Sequence, residues 1–228
     1  MSSKLFQALF FLFFLSTTLI AQAPKSSMQE QSDPAAKKVL DRIRSKYDGY
    51  KTFEASFNLT VEVPGEAKDI QKGVVGQQGE KFRLEMNEQV IVNDTKTTWI
   101  YLKKSNEVQV NDSEPSNAEA SFFTPKELLH RYQKGDFLYA ITDKTTEGGK
   151  VLTQIEFKPK DKKSDYSKIR VSIDEKAGSM EQIKAFGKDG SRYTFNITKF
   201  SPNKVLSADY FSFDTKKYPG IHVEDLRM

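Results

Sequence analysis

The chain has 228 residues, a formal net charge of +4 and 37% hydrophobic residues; that length supplies one well-buried domain and is short for two. The complete absence of cysteine excludes disulfides, thiolate metal sites, a cysteine nucleophile and an N-terminal lipidated cysteine. A small charge balance spread along the chain gives no reason to expect nucleic acid as a partner.

Residues 1–21 read as a secretory leader: Lys4 is its one cation, Leu5–Ile20 is almost unbroken apolar, and Ala21-Gln22-Ala23 closes it with small residues. The apolar run is shorter than the roughly 20 residues a membrane span needs, so cleavage after Ala21 or Ala23 is the expectation. Periplasmic export follows, because a disulfide-free secreted domain suits a bacterial periplasm better than an oxidising lumen. Four N-x-[ST] sequons, at Asn58, Asn93, Asn111 and Asn196, are as expected by chance in a Thr/Asn-rich β protein. Residues 22–32 form a polar lead-in without periodicity, expected to be disordered, and 33–228 form the single domain.

Asp33-Pro34 places an N-cap acceptor before a proline at the first helical position. Val39, Leu40, Ile43 and Tyr47 then recur at helical spacing, and Gly49 offers a stop. From Thr52 the period becomes two: Phe53, Ala55, Phe57, Leu59, Val61 and Val63 point one way and polar residues the other. Pro64-Gly65 turns the chain, and Ile70–Gly76 returns as a second strand. Four runs follow in Lys81–Val110: Phe82–Met86, Val90–Val92, Thr98–Leu102 and Val108–Val110, jointed by polar residues as in an antiparallel meander.

Thr124-Pro125-Lys126-Glu127 is a capping box opening a short helix through Leu128, Leu129 and Tyr132. Phe122 and Phe123 are placed to pin its start against the sheet. Phe137–Ile141 and Val151–Phe157 make a hairpin around Gly148-Gly149. Ile169–Ile173, Met180–Phe186 and Tyr193–Ile197 are further strands, with a type I′ turn expected at Asp189-Gly190. Tyr210–Asp214 reads as a short strand, and Tyr218–Ile221 as an extended segment. The fold expected is mainly β with helices (α+β): an incomplete antiparallel β-barrel of about ten or eleven strands. Its buried face carries more apolar surface than two modest helices fill, which points to a cavity, although periodicity alone does not separate a hollow interior from a packed one.

Chemistry is sparse. His130 sits on a helix surface and His222 near the C-terminus, without metal-ligand spacing. There is no G-x-S-x-G elbow, no P-loop and no dinucleotide fingerprint. No cofactor, metal or catalytic residue is expected, and binding or transport is favoured over an enzyme, a hydrolase being the weaker alternative.

The residues resemble a known family. A leader, an amphipathic helix and the strand Phe53-Glu54-Ala55-Ser56-Phe57 have the layout of the periplasmic carriers of outer-membrane lipoproteins (LolA-type). The block from Lys81-Phe82-Arg83 through Ile91-Val92-Asn93-Asp94-Thr95-Lys96 to Trp99-Ile100-Tyr101 is similar to that family's K-x-R…Q-x-I-V-x-D-G-K-x-x-W-x-Y segment, with Thr95 where glycine is usual. Phe211-Ser212-Phe213 and Pro219-Gly220-Ile221-His222-Val223-Glu224-Asp225 resemble its close. The resemblance implies a half-barrel whose open side is covered by helices and whose apolar interior holds lipoprotein acyl chains. These are taken from an inner-membrane lipoprotein-releasing ABC transporter and passed to an outer-membrane acceptor by a monomeric carrier. Another periplasmic lipid-binding or envelope-stress-sensing module on the same fold is the alternative.

On this reading the acyl-chain cavity is lined by Phe57, Leu59 and Val61, by Phe82, Leu84 and Met86, and by Trp99 and Tyr101. Ile155 and Phe157, Val171 and Ile173, and Phe195 and Ile197 complete it. The lid is Leu40, Ile43 and Tyr47 with Leu128, Leu129 and Tyr132. The family's gating arginine, in a K-R-P segment before the third strand, has no counterpart in Gln77-Gln78-Gly79-Glu80-Lys81, so its gating mechanism does not carry over.

Overall fold

The structure, a computed structural model, describes residues 32–113 and 124–227. The leader, the lead-in up to Gln31 and the pair Phe122-Phe123 lie outside the described residues. Helix α1 spans Pro34–Asp48; Asp33 caps it by accepting from Ala35 N at 2.7 Å, and Gly49 N closes it on Ser45 and Tyr47 carbonyls. Its buried stripe is Ala36, Val39, Leu40, Ile43 and Tyr47, and each large apolar side chain withdrawn from water contributes roughly 1.5–3 kcal/mol. Helix α2 spans Pro125–Lys134 and ends where Gly135 takes φ +82°, a left-handed conformation that glycine adopts without steric cost.

Among the described residues, twelve strands form one open sheet: β1 Thr52–Glu62, β2 Asp69–Gln78, β3 Lys81–Met86, β4 Gln89–Asn93, β5 Thr97–Leu102, β6 Glu107–Asp112, β7 Phe137–Glu147, β8 Lys150–Pro159, β9 Tyr166–Asp174, β10 Ser179–Gly187, β11 Arg192–Pro202 and β12 His222–Asp225. Their order is β12-β6-β5-β4-β3-β2-β1-β11-β10-β9-β8-β7. All pairs are antiparallel except β12, which joins β6 in parallel. Register shifts at Ser56/Phe57 against β11, within β7 and within β10 are bulges that add local twist and bend the sheet, so that one face turns inward on the helices.

Two expectations change. Tyr210–Asp214 is not a strand: Phe213 packs in the outer-face cluster and Phe211 is buried beside the Tyr210 ring, and a period of two in aromatic residues arises equally from such a strap. The edge strand lies instead at His222–Asp225. At the β10–β11 turn only Gly190 has positive φ, +90°, so the turn is not type I′; Asp189 Oδ1 holds it by accepting from Ser191 N (2.9 Å) and Oγ (2.6 Å).

Candidate acyl-binding face and its helical cover

Strand pairing sets which side chains share the inner face. Leu59 stands opposite Phe195 and Gln71, Val75 opposite Ala55 and Leu84, and Leu84 opposite Ile91. On the other side Ile183, Val171 and Ile155 continue the same row. All of these apolar residues belong to one buried cluster with both helices. Of the side chains expected to line the interior, Phe57, Leu59, Leu84, Met86, Ile155, Phe157, Val171, Ile173 and Phe195 are buried in it, and Val61, Phe82 and Ile197 pack partly buried against it. The six lid residues, Leu40, Ile43, Tyr47, Leu128, Leu129 and Tyr132, are in the same cluster.

Trp99 and Tyr101 are not. They pair with Val92 and Val90 on β4 and with Val110 and Val108 on β6, and they join a separate cluster with Phe213, Tyr218 and Ile221. This second core covers the outer face, where Tyr218 stacks on Phe213 at 4.7 Å between centroids. Trp99-Ile100-Tyr101-Leu102 is aromatic or aliphatic at consecutive positions because both faces of β5 are covered, so alternation gives no facing signal. The inner residue of that strand is Ile100, which packs against the helix-bearing cluster. Arg83 likewise points outward, opposite Gly76 and Val92, and is on the wrong side of the sheet to touch the helices.

Sequence reasoning also missed Val75, Ile91, Phe137, Ile169, Met180, Ile183 and Phe200, all on the inner face. All but Phe200 lay within predicted strands, and carrying the alternation of Ile169, Val171 and Ile173 through would have placed Ile169 inside with the other two. Ile91, flanked by Val90 and Val92, offered no such signal.

The interior is filled by the helices themselves. Leu40, Ile43, Leu128, Ile155, Phe157, Val171 and Ile173 are all 0% exposed. Polar ties fasten the cover at its rim. Tyr132 Oη donates to Asp41 Oδ1 at 2.9 Å, joining α2 to α1, and Lys37 pairs with the same carboxylate at 2.6 Å. Arg42 reaches Glu175 at 2.6 Å and Lys46 donates to the Ala177 carbonyl, both at the β9–β10 turn. Asp33 binds the edge of β7, donating to Tyr139 O and accepting from Ile141 N. Tyr47 Oη accepts from Met180 N at 3.2 Å.

Burial pushes the Tyr47 hydroxyl up to about 12, and burial followed by the Asp41 hydrogen bond raises Tyr132 as well, so both stay neutral at physiological pH. Two buried side-chain atoms lack hydrogen-bond partners among the described residues: Arg44 Nε on α1, 3.9 Å from Asp48, and Gln77 Oε1 on the inner face of β2. Each such loss costs about 1–3 kcal/mol. An open cleft of about 660 Å³ lies at the β3–β4 and β5–β6 turns, lined by Gln71, Glu88, Gln89, Leu102, Lys104 and Ser105. It adjoins Leu59 through the Leu59–Gln71 pair.

His130 on α2 and His222 on β12 are both exposed, and no metal-holding cluster occurs among the described residues. The arrangement is suited to covering and uncovering an apolar surface.

The family model described as outer membrane lipoprotein carrier protein LolA matches residues 48–214. An uncharacterized protein of Methanocaldococcus jannaschii is 27% identical over 192 residues, covering 82% of this chain and 52% of its own. The chain therefore spans about half the length of that curated relative. Among solved structures, an uncharacterized conserved protein from Thermus thermophilus has a TM-score of 0.54 at 10% identity, covering 84% of this chain and 99% of that one; this is likeness of fold. A LolA superfamily protein from Nitrosomonas europaea has a TM-score of 0.44 at 12% identity, covering 78% and 98%.

Proposed function

The chain belongs to the outer membrane lipoprotein carrier (LolA) family, and from that premise we propose that it is a periplasmic carrier that shields the acyl chains of lipoproteins between the inner and the outer membrane. The observation that carries the reading is the family match over residues 48–214, which takes in nearly the whole apolar inner face. Each CH₂ moved out of water is worth about 0.8 kcal/mol, so one long acyl chain exposed in the periplasm costs on the order of 10 kcal/mol.

A carrier must offset that cost and still release its cargo. Here the acyl chain takes the place of Leu40, Ile43, Leu128 and Leu129 against the sheet, exchanging one apolar contact for another. The net preference is then small, set by the rim hydrogen bonds. The partners of this cycle are acylated lipoproteins, the inner-membrane ABC transporter that releases them and an outer-membrane acceptor.

The test is depletion of the protein in its own cells, followed by membrane fractionation. Acylated lipoproteins accumulate in the inner-membrane fraction if the reading is correct, and the purified mature chain carries lipoprotein detectable by mass spectrometry. Acyl binding in vitro with normal lipoprotein sorting on depletion would replace the carrier by a lipid-binding module of another kind.

A further inference from the structure

A second cleft, of about 890 Å³, lies on the opposite side of the sheet from the helices, within the roughly 300–1,000 Å³ of small-molecule sites. Its floor is the outward set of adjacent strands: Ser56 and Asn58 of β1, Lys72 of β2, Arg83 of β3 and Thr198 of β11. Its wall is Tyr210, from the strap that follows β11. The wall is built into the sequence. Tyr210 lies against Gly76, where a Cβ would fall 2.4 Å from its hydroxyl oxygen and 2.5 and 2.7 Å from two ring carbons, so any other residue there would displace the side chain.

The polar groups that converge on this cleft are unspent. Among the described residues, the side chains of Ser56, Asn58, Lys72, Thr198 and Tyr210 make no hydrogen bond, and neither does Arg83. Arg83 is held in position all the same: its side chain is only 20% exposed, and its guanidinium sits 6.0 Å from the Tyr210 ring centroid. The Glu85 carboxylate lies 3.6 Å from it, beyond hydrogen-bond reach. Among the other lining charges, Glu85 stays in the cleft, ion-paired with both Arg83 and Lys103. Glu54 pairs with Lys204, and Lys103 donates to the Met86 carbonyl at 2.7 Å while lying 3.8 Å from Glu85.

We propose that this cleft binds a phosphate group carried on a hydroxylated body, the chemistry shared by a free polyol phosphate and a glycerophospholipid headgroup. The guanidinium fork of Arg83 and the ammonium of Lys72 suit a tetrahedral anion with several oxygens. The hydroxyls of Ser56, Thr198 and Tyr210 and the amide of Asn58 exchange hydrogen bonds with the body that bears it. The polar groups named lie on the outward face, while Phe57 and Met86 of the inner cluster also border the cleft; the proposal stands independently of the carrier reading.

The test is titration of the mature chain with sn-glycerol 3-phosphate by calorimetry, alongside co-sedimentation with vesicles of phosphatidylglycerol or of phosphatidylcholine. Saturable binding is expected, weakened at least tenfold by Arg83→Met and by Lys72→Met, while binding of a fluorescent fatty acid to the inner face is unchanged. Binding to glycerol phosphate without vesicles assigns a free metabolite. Binding to phosphatidylglycerol vesicles that glycerol phosphate competes away assigns a headgroup. Gly76→Ala, which drives Tyr210 off the wall, weakens either mode with the fold intact by circular dichroism. Absence of binding to both probes, or wild-type affinity in the Arg83→Met/Lys72→Met double variant, overturns the proposal.

Discussion

Tyr132→Phe separates the stability of the closed cover from its ability to take up a ligand. The ring is 6% exposed and packs edge-on against Tyr139 and Phe157, at 5.1 and 6.5 Å between centroids, contacts that phenylalanine keeps. What is lost is the 2.9 Å hydrogen bond to Asp41. A hydrogen bond to a charged group contributes about 1.5–3 kcal/mol when fully buried. Asp41 is 40% exposed and retains Lys37, so solvent screening brings the loss to about 1 kcal/mol. That energy acts only on the closed state, because the open state exposes both partners to water. It raises the open fraction roughly fivefold, and the apparent Kd for an acyl ligand falls by the same factor while the closed state dominates. The same change lowers Tm by about 2–4 °C. Differential scanning fluorimetry with a fluorescent fatty-acid titration reads both quantities. A protein less stable yet tighter-binding is the expected result; lower stability with unchanged or weaker binding would refute the idea that these helices must leave the sheet.

Four further outcomes follow from particular residues. A brominated fatty acid bound at the inner face leaves Trp99 emission unquenched, because that ring lies on the outer face with Phe213 and Tyr218; strong quenching would place the ligand elsewhere. Thr95 holds φ +84°, which costs a non-glycine residue about 1–2 kcal/mol, so Thr95→Gly stabilises by about 1 kcal/mol after the roughly 0.5–1 kcal/mol entropic penalty of glycine, seen as a higher urea midpoint. Asp41 is held below the usual carboxylate range, first by the Lys37 hydrogen bond. Its contribution is therefore complete above its unfolded value of about 3.9 and disappears as pH falls through the lower folded value: hydrogen exchange in α1 and α2, corrected for intrinsic rates, stays flat from about pH 5 to 8, rises below about pH 4, and loses that acid step in Asp41→Asn. Glu156, whose side chain is 8% exposed, binds Lys168 at 3.0 Å and Arg170 Nε at 2.9 Å; Glu156→Gln strands two half-buried cations and destabilises by about 2 kcal/mol, measured by equilibrium denaturation.

The sequence was legible wherever one face of an element meets water. Helix α1 announces its start in Asp33-Pro34 and its inward stripe in Leu40, Ile43 and Tyr47, because its other side is charged. In β1 the alternation Phe57-Asn58-Leu59-Thr60 shows the inner face directly. Local chemistry was readable too: the glycine-rich β7–β8 turn, the capping aspartate, and the motif order that resembles a carrier family.

Facing was decided by tertiary structure where both sides of a strand are dry. In β4 and β5 the inner face meets the helix-bearing core and the outer face meets the strap of Phe213, Tyr218 and Ile221. Val90-Ile91-Val92 and Trp99-Ile100-Tyr101 therefore carry no polar partner to mark outside from inside, and only the pairing register assigns Ile91 and Ile100 inward and Trp99 and Tyr101 outward. The same holds for Arg83 and Tyr210, far apart in sequence and brought together across Gly76. Sequence alone determined strands β1–β11, the helices and the kind of surface they bury; the edge strand β12 and which residues meet across that surface depend on register and on the path of a distant strap, and neither leaves a periodic trace in the chain.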